Sequence, residues 1–260
     1  MNSPSGKTSS GPTNVGRANG DDEGNPRPAS MSPPDKPSGR ASQPETGIPG
    51  ADHHSYNRRV DLVVIGVSTG GPVALRHVIP KLLPDLAVPV LLVIHMPAAF
   101  TARMSEALDK SSPIKVVEAR DGLTAGAGTV LVAPGGRHMS VSMARQRTRA
   151  NRFELQLLDT PHVNGCRPSV DVTLESIAGI ASCNTLVVIM TGMGSDGAKG
   201  VEMVKEQGGY VLTQTEDTCV IYGMPYAVDR LGLSDERIHL DRIGQRINDL
   251  VKNGYPIRTK

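Results

Sequence analysis

Three side chains in this 260-residue chain could do covalent chemistry together: Ser68, His95 and Asp196. Each stands just beyond an aliphatic run. Ser68 follows Leu62-Val-Val-Ile65 inside Gly66-Val-Ser68-Thr-Gly70, and His95 closes Val88-Pro-Val-Leu-Leu-Val-Ile94. Asp196 lies in Thr191-Gly-Met-Gly-Ser-Asp-Gly197, after Thr185-Leu-Val-Val-Ile-Met190. A serine hydroxyl is a weak nucleophile until a base takes its proton, and a carboxylate can hold the imidazole in the tautomer that does so. The spacing Gly66-x-Ser68-x-Gly70 also matches an elbow in which small neighbours let a serine stand clear of a sharp turn. Taken singly, each residue has a plainer reading. The Ser68 turn could bind an anion or simply be tight, His95 could be a structural hydrogen bonder, and Asp196 could cap the helix after it. Their shared position at strand ends favours nucleophilic acyl chemistry.

His138, after Pro134-Gly-Gly136, and His162 are competing bases, ranked lower because no continuous buried strand leads directly into them. His53 and His54 fall in the N-terminal segment, and His77 and His239 read as surface or packing residues. No cofactor and no metal site are expected. A phosphate-binding G-K-[ST] is missing, Ser68 replaces the second glycine of a dinucleotide fingerprint, and His-Glu-x-x-His does not occur. Cys166, Cys183 and Cys219 are odd in number and lack C-x-x-C spacing, which fits a reduced, cytoplasmic setting better than a disulfide framework. A net charge of +2 does not argue for nucleic acid. No apolar run approaches the roughly 20 residues of a membrane span, and none resembles a secretory signal.

The elements that must position these residues are legible in the apolar pattern. Runs at 62–65, 88–94, 114–117, 129–133, 185–190 and 210–213 read as strands, most of them buried on both faces. Helical patterns fill 73–79, 101–110, 169–181, about 198–207, 224–231 and 242–251. Alternation from Met139 to Leu158 across a polar turn reads as a hairpin. The arginines of that turn (Arg145, Arg147, Arg149 and Arg152) read as a solvated loop, with an acidic partner as the alternative. Strands separated by helices imply a three-layer, doubly wound, mostly parallel α/β sheet with a β-hairpin near the site. Ligands of such sheets lie at the carboxyl ends of the strands, near a switch in strand order. That is where Ser68, His95 and Asp196 would meet.

Residues 1–57 differ in kind. They hold nine of the chain's twenty prolines, many Gly and Ser, and few aliphatics, so they read as a disordered tail. The catalytic domain is expected over 58–254, with 255–260 as a C-terminal extension.

Six motifs in order carry a family resemblance: Val64-Ile-Gly-Val-Ser-Thr-Gly-Gly-Pro72, Ile94-His-Met-Pro97, Ala133-Pro-Gly-Gly-Arg-His138, Asn164-Gly-Cys-Arg-Pro-Ser-Val-Asp171, Thr191-Gly-Met-Gly-Ser-Asp-Gly197 and Gly223-Met-Pro225. Over about residues 60–252 the chain resembles the catalytic domain of bacterial chemotaxis protein-glutamate methylesterases. The resemblance implies hydrolysis of glutamyl methyl esters on the cytoplasmic helices of chemoreceptors or similar signalling proteins, with release of methanol, and deamidation of certain glutamines. It places the family's catalytic residues on Ser68, His95 and Asp196, and an oxyanion hole on the backbone N–H groups of Thr69 and Met193. Most members carry an N-terminal receiver domain. Here the Pro/Gly/Ser-rich segment stands in that place, so a stand-alone catalytic domain is expected. The alternative reading is a non-catalytic receptor-binding or scaffold module of the same fold.

Overall fold

A computed structural model describes residues 57–145 and 152–257. The expected tail up to residue 56, Arg147 and Arg149 of the hairpin turn, and residues 258–260 lie outside the described residues. Twelve strands are described: β1 (Asn57–Arg58), β2 (Leu62–Val67), β3 (Val90–Ile94), β4 (Lys115–Glu118), β5 (Thr124–Ala125), β6 (Thr129–Val132), β7 (His138–Met143), β8 (Phe153–Leu158), β9 (Thr185–Ile189), β10 (Tyr210–Gln214), β11 (Glu236–Ile238) and β12 (Tyr255–Pro256). Six α-helices join them: α1 (Gly71–Val78), α2 (Ala98–Ser111), α3 (Val170–Ala178), α4 (Ala198–Glu206), α5 (Met224–Arg230) and α6 (Leu240–Asn253).

Seven strands form the central sheet in the order β11-β10-β9-β2-β3-β6-β4, every pair parallel. The chain leaves β2 toward β3 on one side and later returns to β9 on the other. The order therefore reverses around β2, and the carboxyl ends of β9, β2 and β3 adjoin there. All six residues of β2 are buried, as are all five of β3 and all five of β9. Side chains alternate between the faces, as strand geometry requires. Val63, Ile65 and Val67 face a core shared with α1, α2 and α6, while Leu62 and Val64 face a second core with α3, α4, α5 and the hairpin β7–β8. Each fully buried aliphatic of this kind contributes roughly 1.5–3 kcal/mol. That is how a chain with two Phe and no Trp fills two cores.

The layered, doubly wound architecture follows the sequence reading, with differences in detail. The central sheet is entirely parallel, and antiparallel pairing sits in two separate sheets, β5-β8-β7 and β1-β12. Helix α2 starts at Ala98 rather than Thr101, directly after extended Pro97. Strand β11 was not expected: three residues of mixed character, Glu236-Arg237-Ile238, carry no periodicity of their own and pair only because β10 offers an edge. Tyr255 and Pro256, expected in an extension, pair antiparallel with Arg58 and Asn57. Tyr255 is buried and stacks on Tyr210 with ring centroids 5.1 Å apart. Among the described residues, no helix is long and apolar enough to cross a membrane.

Candidate active site

The turn after β2 is held from below and behind. The Ser68 N–H donates to Thr191 O at 3.0 Å, and the Gly71 N–H donates to Ser68 O at 2.7 Å. Gly70 takes φ +86°, which strains any side chain, and a Cβ there would lie 2.7 Å from Val220 Cβ. Thr191 is the clamp. Its hydroxyl donates to Thr69 O at 2.9 Å and accepts the N–H groups of Val220 and Ile221 at 3.0 and 3.1 Å. Its own N–H goes to Oε1 of buried Gln214 at 2.9 Å. Gly192 makes room for Ser68, since a Cβ there would sit 2.8 Å from Ser68 Cβ and would also meet Met224 Sδ.

His95 extends the ladder of β3, its N–H donating to Val67 O at 3.2 Å. Its ring Nε2 donates to Asp196 Oδ2 at 2.7 Å. Asp196 is 2 % exposed and gathers four further donors. Oδ2 accepts the Val170 N–H at 2.7 Å. Oδ1 accepts Ser169 Oγ–H at 2.7 Å, Asn164 Nδ2–H at 3.0 Å and the Asp171 N–H at 3.3 Å. The reading of Asp196 as the cap of the helix that follows it is not what the structure shows. Asp196 accepts the first amides of α3, and it does not cap α4, whose N-cap Gly197 has no side-chain cap. Burial pushes the Asp196 pKa up, but the donors from His95, Ser169, Asn164 and Val170 outweigh it and bring the value down to about 2. The positive end of the α3 dipole acts in the same direction. Asp196 is thus a fixed anion opposite the imidazole.

The other ring nitrogen carries a surprise. Nδ1 of His95 lies 3.4 Å from Cys166 Sγ. With Nε2 donating to Asp196, Nδ1 of the neutral ring is an acceptor, and the Cys166 thiol has two acceptors within reach, Nδ1 and Asn164 O at 3.6 Å. Burial, and secondarily the Asp196 charge, push the Cys166 thiol up, which keeps it a donor. Ser68 Oγ has no hydrogen-bond partner among the described residues. The structure therefore brings His95 and Asp196 together and leaves Ser68 on the adjacent strand end, without the expected serine–histidine hydrogen bond. The backbone N–H groups of Thr69 and Met193 also find no acceptor among the described residues, leaving two donors free beside the Ser68 turn.

His138 is a different kind of residue. It is fully buried, its Nε2 donating to Pro161 O at 3.0 Å and its Nδ1 accepting the Ser169 N–H at 3.2 Å. It holds the start of α3 in place, with both nitrogens occupied, and is not an available base. His162 is exposed. Among the described residues, no group of three His, Cys, Asp or Glu is placed to hold a metal ion. Sequence reasoning passed over Ser169, Asn164 and Cys166 as site residues. The Ser-x-Asp start of α3 and the Asn164-Gly165 turn signal were available to find the first two. No local pattern announces a thiol on a histidine 71 residues away.

With this geometry in view, comparison with known proteins gives a consistent result. The family model described as CheB methylesterase matches residues 63–247. A protein-glutamate methylesterase/protein-glutamine glutaminase of Symbiobacterium thermophilum is 44% identical over 193 residues, covering 74% of this chain and 51% of that protein. One of the same name from Desulfotalea psychrophila is 40% identical over 194 residues, covering 75% of this chain and 52% of its own length. The chain spans about half the length of the curated relatives it matches. Among solved structures, the CheB methylesterase catalytic domain of Thermotoga maritima matches with a TM-score of 0.69 at 37% identity, over 75% of this chain and 100% of that one. A family model covering well over half the chain, over a span that includes the strand ends bearing Ser68, His95 and Asp196, shows that this chain belongs to the CheB methylesterase family.

Proposed function

We propose that this chain is a serine hydrolase that removes methyl esters from glutamate side chains of chemoreceptor-type signalling proteins, releasing methanol, and that it hydrolyses certain glutamine side chains to glutamate. The observation that carries the reading is the 2.7 Å His95–Asp196 pair at the strand end next to Ser68, with two unpartnered backbone N–H groups beside it. The names of the similar proteins support the same activity.

The reaction follows from these positions. An ester carbonyl seats over the turn after β2, and Ser68 Oγ displaces the Cys166 thiol from His95 Nδ1. Nδ1 takes the serine proton as Oγ attacks the carbonyl carbon. The Thr69 and Met193 N–H groups receive the oxyanion, where preorganised donors have most effect. Asp196 stabilises the imidazolium through Nε2–H without itself taking the proton. The tetrahedral intermediate collapses, Nδ1–H protonates the departing methoxide, and methanol leaves. Water then attacks the glutamyl-serine ester with His95 again as base, returning glutamate and free Ser68. Exposed apolar side chains flank the turn, Met193 at 75% and Val220 at 63% exposure, and suit a protein surface better than a small solute.

Methanol release from methylated receptor cytoplasmic fragments tests the activity. Labelling of Ser68 by an active-serine phosphonate, located by peptide mass, tests the nucleophile. The reading fails if folded protein neither releases methanol nor labels at Ser68.

A further inference from the structure

The segment between β8 and α3 contains a turn that reaches into the His95–Asp196 pair. Val163 and Cys166 exchange both backbone hydrogen bonds, at 3.1 and 2.9 Å. Between them Asn164 and Gly165 both take positive φ, 52° and 73°, as a tight two-residue hairpin turn of type I′ requires. Glycine would meet that backbone demand at either position. The side-chain amide is what asparagine adds, and it is used twice. Asn164 Nδ2 donates to Asp171 Oδ2 at 2.7 Å and to Asp196 Oδ1 at 3.0 Å.

The two carboxylates it joins are 3 % and 2 % exposed and would repel each other if both were ionised with nothing between them. Asp171 has a second anchor, the Gly200 N–H on Oδ1 at 2.8 Å. Burial still pushes the Asp171 carboxyl up, and the neighbouring Asp196 charge adds to this, while Asp196 itself is held down at about 2. Other titratable groups face the pair. His95 approaches from the end of β3 and Cys166 from the turn itself. From β7, His138 acts through Ser169. From α4, Lys199 adds its charge near Asp171 and pairs with Glu175 at 2.8 Å. Among the described residues, none of these bonds to both carboxylates.

We propose that Asn164 is a positioning residue for the reaction: its amide, shared between Asp171 and Asp196, lets both carboxylates stay ionised together and so keeps Asp196 a full anion against His95. This rests on the hydrolytic reading above. Asn164 touches no reacting atom and acts through Asp196.

Asn164→Gly is the test, because Gly-Gly keeps the positive-φ turn and removes only the amide. In this variant kcat falls about tenfold, the acid limb of its pH profile moves up by about one unit, and KM stays within about twofold, as expected when a buried pair begins to share a proton. The melting temperature falls by a few degrees at neutral pH, because a raised pKa of a buried carboxylate is itself a loss of stability, so the moved titration is what separates this outcome from a merely structural turn. Adding Asp171→Asn removes the like charge and returns the acid limb to the wild-type position. Carboxyl carbon NMR of aspartate-labelled protein follows the same titration without any substrate, and one buried aspartate rises in Asn164→Gly. A wild-type profile together with a wild-type carboxyl titration in Asn164→Gly overturns the proposal, since water would then replace the amide. A loss of kcat with a lowered melting temperature and an unmoved titration also overturns it, leaving a structural turn. A wild-type protein that hydrolyses no ester refutes the hydrolytic reading instead, and the carboxyl titration still decides the function of Asn164.

Discussion

The two ends of the parallel sheet are built from similar residues to opposite purposes. At the amino end, Asp61 before β2 accepts the Asn184 N–H at 3.0 Å, Asn184 Nδ2–H at 3.2 Å and an Arg152 guanidinium N–H at 2.6 Å. Close by, Arg58 donates to Gln207 O at 2.9 Å, and the Tyr255 hydroxyl to Gly208 O at 3.2 Å. These donors and acceptors are matched: Asp61 joins the start of β2 to the residues just before β9 and β8, and β1 and β12 both bond the turn after α4. At the carboxyl end, Asp196 is equally well satisfied, but its neighbours are not: Ser68 Oγ and the amides of Thr69 and Met193 have no partners among the described residues. Matched polar groups stabilise a fold. Unmatched ones held rigidly cost stability and are available to a substrate.

Substitutions at the two ends should therefore separate activity from stability. The largest effect is expected from Ser68→Ala and His95→Ala, each lowering kcat for ester hydrolysis by about a thousandfold or more, with the double variant little worse than either. Methanol release and circular dichroism check this together, and substantial turnover by folded Ser68→Ala would sink the mechanism.

Asp196→Asn comes next, with a loss of roughly 10²- to 10⁴-fold, because the amide cannot stabilise the imidazolium. It also changes the acid response of the fold. The folded pKa of Asp196 is depressed to about 2, so its contribution, on the order of 2 kcal/mol, is present above the unfolded value near 4 and is lost as pH falls through about 2. Urea titrations of wild type and variant should converge in strong acid, and a constant gap down to about pH 2 would contradict this.

A smaller effect is expected at Gly192→Ala. Its methyl would meet the Met224 thioether, which can shift, and Ser68 Cβ at 2.8 Å and Ser68 N at 3.1 Å, which are fixed to the backbone, so kcat should fall roughly tenfold to a hundredfold through displacement of Ser68. Unchanged kinetics would show that the turn relaxes freely. The smallest effect on catalysis belongs to the amino end. Asp61→Ala leaves Asn184 and Arg152 without their acceptor and should cost about 1–3 kcal/mol of stability while leaving kcat/KM within about twofold. A large kinetic loss there would erase the contrast between the two ends.

Much of this was legible in the chain itself. The apolar runs 62–65, 88–94 and 185–190 announce parallel strands, because a strand covered on both faces needs no polar alternation. Ser68, His95 and Asp196 follow those runs, and strand direction then sends all three to one rim. The same local logic failed for Glu236–Ile238 and Tyr255-Pro256, short segments whose pairing depends on an edge or partner that lies elsewhere in the chain.

Sequence by itself determined which residues reach the carboxyl end of the sheet, since apolar periodicity and glycine-rich turns are properties of neighbouring residues. Tertiary structure alone decided how they face one another. It turned Nε2 of His95 to Asp196, 101 residues on, and set a thiol against Nδ1. It gave Asp196 the amino terminus of α3 in place of that of α4, and it laid the Asn164 amide between two buried carboxylates. Hydrogen bonds depend on fractions of an ångström and on ring orientation, and neither is encoded until packing has brought distant segments together.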